Sequence, residues 1–503
     1  MKVCLLNDSF PPVIDGVVSV LLNYADHLMA DHGAEVLVGT PAYPDADYSG
    51  YGYPVVPYPS FDTASVTNGY RTGNPFSGKE VMEMAAFAPD LIHSHCPASA
   101  TVIARLLREQ TGAPIVFTYH TKYDVDLRRE FKFEPLANEI IKAMVGNIEA
   151  CDDIWTVSRG AGESLKALGY AGDYLVMPNG VDFEKGRVSQ EEVERVTKGY
   201  DLPEGVPVFL YVGRLITYKG LPLILDALRI LHDSGQDFRM VFVGKGPDEE
   251  LLKNRALELG ISEKCIFTGP IYERLDLRAW NTRADLFLFP STFDTNGLVV
   301  REAAACGLAS VLIKGSCAAE DSTDDRNGFI IEESAEAMAA LLHEACRDIP
   351  HLHDVGQHAM DELYLSWKDC VSRAYDRYGY VLEQKKAGLL SDDKKLPTDH
   401  LVTMTARNMS EQDRLRQLGP RWKDEFAQYR AGMMENVQEA EDQAEAFWKN
   451  LYESLRERYQ AVKNLALPDA DEMAGEEAGE ETEGFWSRIS EDFKKEMNDL
   501  WGI

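Results

Sequence analysis

Residues Phe287–Lys314 read FLFPSTFDTNGLVVREAAACGLASVLIK. The apolar run Leu286 to Phe289 predicts a buried strand that stops at Pro290. Ser291 to Asn296 is a polar turn. From Gly297 onward, Leu298, Val299, Glu302, Ala305 and Cys306 recur at helix spacing, and Gly307 ends the pattern before a second strand, Ala309 to Ile313. Strand, polar loop, helix, strand puts a helix N-terminus at the carboxyl end of a strand. That end carries unpaired N–H groups and the positive end of the helix dipole, so it suits an anion. Asp294 stands just before it and Glu302 one to two turns inside, and each carboxylate can accept hydrogen bonds from hydroxyls. An anion site flanked by two such carboxylates suits a nucleotide sugar. Taken alone, the stretch also fits an ordinary α/β helix with a solvated Glu.

The same alternation surrounds it. Strands are expected at Val208–Gly213, Arg239–Gly244, Ile266–Gly269 and Phe329–Glu332, with helices at Leu221–Ser234, Asp248–Leu259 and Ala335–Cys346. The N-terminal half repeats the pattern. Strands fall at Lys2–Asn7, Glu35–Thr40, Leu91–His95, Pro114–His120 and Ile154–Ser158, and helices at Ser19–Ala30, Ala98–Gln110 and Leu136–Ala150. Strands alternating with helices of this length imply parallel sheets with crossover helices, whose ligands bind at the carboxyl ends of the strands. A linker near Tyr200–Val206 is expected between the halves, and a helix over Leu363–Gln384 after the second.

The informative loops are those at strand ends. Asp15-Gly16 precedes a helix, and a glycine there permits close backbone approach to a phosphate. His120 closes a strand in His120-Thr121-Lys122-Tyr123, where a structural histidine is the commoner reading. Pro178-Asn179-Gly180-Val181-Asp182 is a turn signal. Arg214 and Lys219, in Gly213-Arg214-Leu215 and Lys219-Gly220, are two cations on one loop that can meet a diphosphate, Arg as a planar fork and Lys as a point charge. Tyr43 to Ser77 is rich in Pro, Gly and Tyr. Its aromatics suit either an acceptor groove or packing of the loop on itself.

The chain has 503 residues and a net charge of -32. That excess of acid argues against a nucleic-acid partner, which is held by Lys and Arg against phosphate. Eight cysteines without a CxxC pair read as reduced, buried thiols of a cytoplasmic protein. The N-terminus MKVCLLNDSFPP reads as a strand and not as a signal peptide, and no apolar run approaches a membrane span.

These motifs resemble the family 4 retaining glycosyltransferases of GT-B fold. That family carries two Glu separated by seven residues, around a Gly-hydrophobic pair and an Ala-rich helix ending in Cys-Gly. Asp294 stands at the first position and Glu302 at the second, with Asn296-Gly297-Leu298-Val299 where the family often has Phe-Gly-Leu-Val. The usual Gly-Gly before the first helix is reduced here to Gly16. Gly244-Lys245-Gly246-Pro247 is similar to the family's loop near the nucleobase, and the PNGVD stretch to the one closing the N-terminal domain. The HTKY stretch is similar to that of bacterial diacylglycerol glucosyltransferases.

The resemblance implies an α/β protein of GT-B fold, with two Rossmann-like doubly wound domains facing a cleft. The N-terminal acceptor domain is expected at 1–200, the nucleotide-sugar domain at 206–350 and crossover helices at 351–385. It implies metal-independent, retaining transfer of a hexose from a nucleotide-diphosphate sugar, UDP-glucose foremost, to a lipid or glycan, with no cofactor. Arg214 and Lys219 fall to the diphosphate, Glu302 to the ribose, and Asp294 and His120 to the sugar. Gly16, Gly244, Gly246, Asn296, Gly297, Leu298 and Val299 complete the donor site, and Tyr123 and Asn179 are assigned to the acceptor. The DxD pairs Asp45/Asp47 and Asp124/Asp126 are not needed by such a site. A non-catalytic partner-binding protein and a sugar-nucleotide epimerase are the rival readings.

The resemblance ends with the helix at Gln384, and residues 386–503 form a helical appendage. An amphipathic helix is expected over 421–462, suited to packing on the enzyme or a second subunit. An acidic linker follows at 468–484. Over 485–503, Phe485, Trp486, Ile489, Phe493, Met497, Leu500 and Trp501 share one helical face, which fits docking on protein or peripheral contact with the inner face of a membrane.

Overall fold

The computed structural model describes residues 1–13, 15–44, 46–62, 70–123, 128, 134–390 and 399–417. The expectations for 421–462, 468–484 and 485–503, and for Asp45, Asp124 and Asp126, lie outside the described residues. Met1–Gln417 form one compact unit.

In chain order the first half has strands β1 (Lys2–Leu6), β2 (Glu35–Pro41), β3 (Val55–Tyr58), β4 (Ser60–Asp62), β5 (Arg71–Gly73), β6 (Leu91–Ser94), β7 (Ile115–Tyr119), β8 (Asp153–Thr156) and β9 (Leu175–Val176). Seven of them form a parallel sheet in the order β3-β2-β1-β6-β7-β8-β9, and β4 and β5 pair as a small antiparallel ribbon. The second half has β10 (Val208–Val212), β11 (Arg239–Val243), β12 (Cys265–Gly269), β13 (Leu286–Phe289), β14 (Ser310–Ile313) and β15 (Phe329–Ile331), a parallel sheet in the order β12-β11-β10-β13-β14-β15. Most of the central strands are buried along their length, as helices on both faces of a parallel sheet require.

Helices α1 (Gly16–His32), α2 (Gly78–Ala86), α3 (Ser99–Thr111), α4 (Glu134–Glu149) and α5 (Arg159–Ala167) serve the first sheet. Those of the second are α6 (Gln190–Thr197), α7 (Leu221–Asp233), α8 (Glu249–Glu258), α9 (Arg274–Arg283), α10 (Leu298–Ala305), α11 (Ala335–Ala345) and α12 (Ile349–Glu362). Side-chain caps explain several starts: Asp15 Oδ1 accepts from Val18 N at 2.7 Å, Ser158 from Ala161 N at 3.0 Å, and Ser334 from Ala337 N at 3.1 Å.

In each sheet the order reverses around one strand. β1 has β2 on one side and β6 on the other, and β10 lies between β11 and β13. Ligand crevices in such sheets open at these switch points. The two reversals set where the cleft must be.

Several expectations are corrected. The chain passes to the second half at Pro178–Phe183, not at Tyr200–Val206. Val181 and Phe183 already belong to the second core, α6 packs on α9, and Val196 and Leu202 lie against the same core. Of the crossover helices expected at 351–385, α12 stays with the second domain, where Leu352 and Val355 enter its core. Only α13 (Trp367–Lys386) crosses back. It starts at Trp367, later than Leu363, because the Leu365 carbonyl accepts from Val181 N at 2.9 Å and Ser366 caps the helix through Asp369 N at 3.0 Å. Trp367, Val371, Ala374, Tyr378 and Val381 then join Tyr24 and Trp155 in the first core, and Arg377 donates to both carboxylate oxygens of Asp153 at 2.8 Å.

The aromatics of the Tyr-rich loop pack inward: Tyr48 and Tyr51 meet Phe10, with ring centroids 5.8 and 5.0 Å apart, Tyr51 meets Tyr53 at 5.5 Å, and Tyr53 and Tyr58 are buried. The appendage begins with an unexpected helix, α14 (Asp399–Gln417), whose Val402, Ala406 and Met409 complete the first core. Buried Arg105 holds its first residue, Asp399, at 2.7 Å. All eight thiols are free, and no helix among the described residues is long and apolar enough to cross a membrane.

Gly180 lets the crossing happen, because a Cβ there would lie 2.6 Å from the Trp367 backbone N and Cα. Gly180→Ala is therefore expected to destabilise the protein by about 1–3 kcal/mol. Gly146→Ala, in α4 with open space around it, is expected to stabilise by up to about 1 kcal/mol. Urea unfolding of the two variants measures both, and equal stabilities would refute the close-contact account.

Candidate functional site

The ends of β10, β11 and β13 converge with those of β1 and β7. After β10, Gly213 takes φ 152 and exposed Arg214 follows, its carbonyl held by the Tyr211 hydroxyl at 3.1 Å. The loop after β11 lies directly on this turn: a Cβ on Gly244 would sit 2.0 Å from the Gly213 oxygen, and one on Gly246 would sit 2.2 Å from the Leu215 oxygen. Backbone packing between the two loops is thus enough to require both glycines. Their expected donor contact is not needed to explain them.

Lys219 ends a single 3-10 turn closed by Gly220 at φ 80. Its Nζ lies 2.8 Å from Asp294 Oδ1, and the Ser291 hydroxyl donates to Asp294 Oδ2. The sequence reading gave these two residues separate tasks, whereas the structure joins them as an ion pair. Gly297, at φ 62, is the N-cap residue of α10, and no side chain caps that end. Its left-handed backbone and the Ala318 methyl, 2.9 Å from where a Cβ would stand, both demand glycine. Leu298 reaches across the cleft: its Cδ1 is 4.0 Å from where a Cβ on Gly16 would stand, so the N-termini of α10 and α1 face each other. Val299 packs partly against the second core.

Glu302, inside α10, accepts from Arg274 at 2.6 Å, and the same guanidinium lies 3.2 Å from Asp182 and over the Phe183 ring. Burial pushes the Glu302 carboxyl above the usual range, Arg274 pulls it down, and Asp182 adds to the rise. On the facing wall Asp15, the cap of α1, also accepts from Ser9 at 3.1 Å. The Tyr70 hydroxyl bonds to Asp15 and lies in the field of Arg214, while burial dominates its upward shift.

His120 is 6% exposed. Its carbonyl accepts from the Thr295 hydroxyl of the opposite domain at 2.5 Å, and its Nε2 lies 2.9 Å from His95 Nδ1. Burial lowers its pKa to about 3. His93 and His95 behind it are driven well below the ordinary value by burial first, with His120 adding to the fall at His93, and His93 and His120 to that at His95.

Further bonds tie the walls together. Lys122 donates to the Thr292 carbonyl at 3.3 Å, Asn296 Nδ2 to the Val157 carbonyl at 2.7 Å, and Arg159 N to Glu320 at 2.7 Å. Asn296, expected at the donor, thus uses its amide to bridge the domains. Tyr123, expected at the acceptor, stacks edge-on against Tyr119 at 5.8 Å and hydrogen-bonds with the Cys96 thiol. It lines a small apolar depression with Pro97, Ile141 and Met144. Asn179, expected at the acceptor, is 5% exposed at the crossing point. Among the described residues no group of His, Cys, Asp or Glu is placed to hold a metal ion.

Arg274, Asp182, Asp15, Tyr70 and His95 were not singled out from the sequence. Asp15 and Asp182 lie within quoted motifs and could have been. Arg274 sits in a helix start with no local signal.

Comparison with known proteins agrees with this geometry. Residues 14–185 match the model for Glycosyltransferase Family 4 and residues 192–361 that for Glycosyl transferases group 1, together more than two thirds of the chain. The chain is 23% identical over 353 residues to an alpha-monoglucosyldiacylglycerol synthase of Acholeplasma laidlawii, covering 68% of this chain and 88% of that one. A protein of the same name from Streptococcus pneumoniae is 23% identical over 372 residues, covering 72% and 81%. The fold matches that of Anabaena HepE, solved in complex with UDP, with a TM-score of 0.60, 18% identity and coverage of 76% and 100%. The chain belongs to the family 4 glycosyltransferases of GT-B fold.

The buried histidines make stability depend on pH. Their folded pKa values lie below the unfolded value of about 6.5, so the unfolded chain binds protons first and stability falls as pH drops through that value. His351, raised by Asp325, acts oppositely but is exposed. The urea midpoint is expected to fall between pH 7.5 and 5.5, and the fall to shrink in His93→Phe. A midpoint that rises over this range would contradict the buried, neutral assignment.

Proposed function

We propose that this glycosyltransferase moves a hexose, with retention, from a UDP-sugar, UDP-glucose foremost, to a lipid acceptor of diacylglycerol type. The observation that carries the reading is the single cluster at the two switch points: Arg214, the Lys219–Asp294 pair, Glu302 and the uncapped α10 terminus, facing His120 and Gly16. The names of the relatives support the lipid acceptor, and the UDP complex of the structural neighbour supports the nucleotide.

In this reading Arg214, Lys219 and the first-turn amides of α10 stabilise charge growing on the departing diphosphate. Glu302 accepts from the ribose hydroxyls, and Asp294 and His120 hold the hexose. The bond from the sugar carbon to the diphosphate oxygen breaks, and the acceptor oxygen bonds to that carbon on the same face. The acceptor proton passes to the departing phosphate oxygen, so neither a side-chain base nor a metal is required. The first domain holds the acceptor. The aromatic residues of 485–503 are the sequence feature that would keep the enzyme at a bilayer.

Lys219→Ala and Arg214→Ala are each expected to lower kcat about a hundredfold or more, on the order of 2.7–4 kcal/mol, with the fold intact by circular dichroism. Wild-type rates would remove the diphosphate assignment. Glu302→Gln is expected to weaken UDP and UDP-glucose alike, whereas Asp294→Asn should weaken UDP-glucose and spare UDP. Calorimetry with both ligands separates the two carboxylates, and equal losses would show them misassigned.

Incubation with UDP-glucose and diacylglycerol vesicles in EDTA is expected to give a monoglucosylated lipid, read by mass spectrometry. A requirement for added manganese or magnesium would refute the metal-independent mechanism. Turnover of soluble glycans alone would refute the lipid acceptor.

A further inference from the structure

Behind the cleft wall lie three histidines in contact. His93 and His95 have ring centroids 4.0 Å apart, and His95 stacks on His120 at 5.2 Å with 21° between planes. Their hydrogen bonds differ in kind. His93 has a hydroxyl at each ring nitrogen, Tyr378 at 2.6 Å and Thr118 at 2.7 Å. A hydroxyl donates or accepts as required, so His93 can take either tautomer and imposes neither on its surroundings. His95 has one bond, from Nδ1 to His120 Nε2 at 2.9 Å, and its Nε2 is buried without a partner.

Two arrangements of the protons are open to that bond. If His120 Nε2 donates, His95 must carry its own proton on Nε2, leaving a buried N–H with nothing to bond. If His95 Nδ1 donates, the unpaired nitrogen is a bare lone pair. Orphaned buried N–H groups are the rarer and costlier defect. The second arrangement is therefore favoured, and it fixes the partner ring. His120 Nε2 is the acceptor, and its proton sits on Nδ1, the nitrogen turned away from His95. A doubly protonated ring is disfavoured throughout the group by burial.

We propose that His95 is a positioning residue for sugar transfer, holding His120 in the Nδ1–H tautomer so that this N–H donates to a hydroxyl of the bound hexose. The inference rests on the place given to His120 in the donor site above. His95 itself does not touch the sugar. Its own backbone N–H is bonded to the Leu6 carbonyl at 2.9 Å, and Tyr24 packs edge-on against its ring at 5.5 Å. The donor is thus aimed by a ring that has little freedom to turn.

The test is the tautomer itself, read in the full-length protein labelled with 15N-histidine by long-range proton–nitrogen correlation, with assignment from single-histidine variants. Wild type is expected to show His120 protonated on Nδ1. In His95→Phe, which keeps an aromatic ring and removes the donor, the His120 signal should move toward the Nε2–H form. kcat with UDP-glucose should fall roughly fivefold to tenfold, the scale of one hydrogen bond, and KM for the lipid should hold. His95→Gln, whose amide can donate, should recover part of both. In a His120→Ala background His95→Phe should have no further effect on kcat.

An Nε2–H signal in wild type overturns the inference, and it can be read even if the variants fail to fold. An unchanged tautomer in His95→Phe, or losses that multiply in the double variant, also overturn it. The spectrum does not depend on turnover. Failure of the wild type to use any sugar nucleotide would therefore overturn the glycosyl-transfer reading separately.

Discussion

The return of α13 onto the first sheet is the contact on which the cleft depends. Two parallel sheets joined by a single strand of chain at Pro178–Phe183 would be free to swing. α13 supplies the second connection, burying Trp367, Val371 and Tyr378 with Tyr24 and Trp155 of the first domain, and Tyr378 is fully inaccessible. Each such side chain contributes roughly 1.5–3 kcal/mol of burial, and the Arg377–Asp153 fork fixes the helix in rotation. The register of the two switch points follows from this anchoring. The loops after β1 and β7 meet those after β10 and β13 because the walls cannot drift apart.

With the walls fixed, the charges in the cleft are arranged to neutralise one another before any ligand arrives. Lys219 is paired with Asp294, and Arg274 is shared by Glu302 and Asp182. In a protein of net charge -32, an unpaired cluster of carboxylates here would repel a diphosphate. Pairing removes most of that repulsion, while Arg214 stays exposed and the α10 N-terminus has no side-chain cap.

Much of this was readable from the residues. The strand–loop–helix–strand order of 286–313 and the apolar runs of the other central strands predict two parallel sheets, because buried strands must be apolar on both faces. The loops carrying Arg214, Lys219, Asp294 and His120 follow from the rule that such sheets bind at strand ends. What could not be read depends on contacts between distant segments. Gly244 and Gly246 look like a ligand loop in sequence, but their constraint is the carbonyls of Gly213 and Leu215. The passage between domains is set by Phe183 and α6 joining the second core, although Tyr200–Val206 has the more linker-like composition. α14 escaped notice because Val402, Ala406 and Met409 form a short stripe that has meaning only against α2 and α3. Arg274 has no local signature, since its importance comes from Glu302 and Asp182 at remote positions.

The histidines behind the cleft are neutral polar groups set close to the uncapped end of α10. A cationic imidazole at His120 would add attraction for phosphate, but it would sit within contact of two more rings, and protonating one would disfavour the others. Burial resolves this by keeping all three uncharged. A neutral ring can then serve as a directional donor or acceptor, which a solvated cation does poorly. Direction requires that one nitrogen be chosen over the other, and a hydroxyl neighbour cannot make that choice because it adapts to either. A second imidazole with one satisfied nitrogen can, since each proton placement on it dictates the placement on its partner. The pairing of His95 with His120 gives the wall a polarity without giving it a charge.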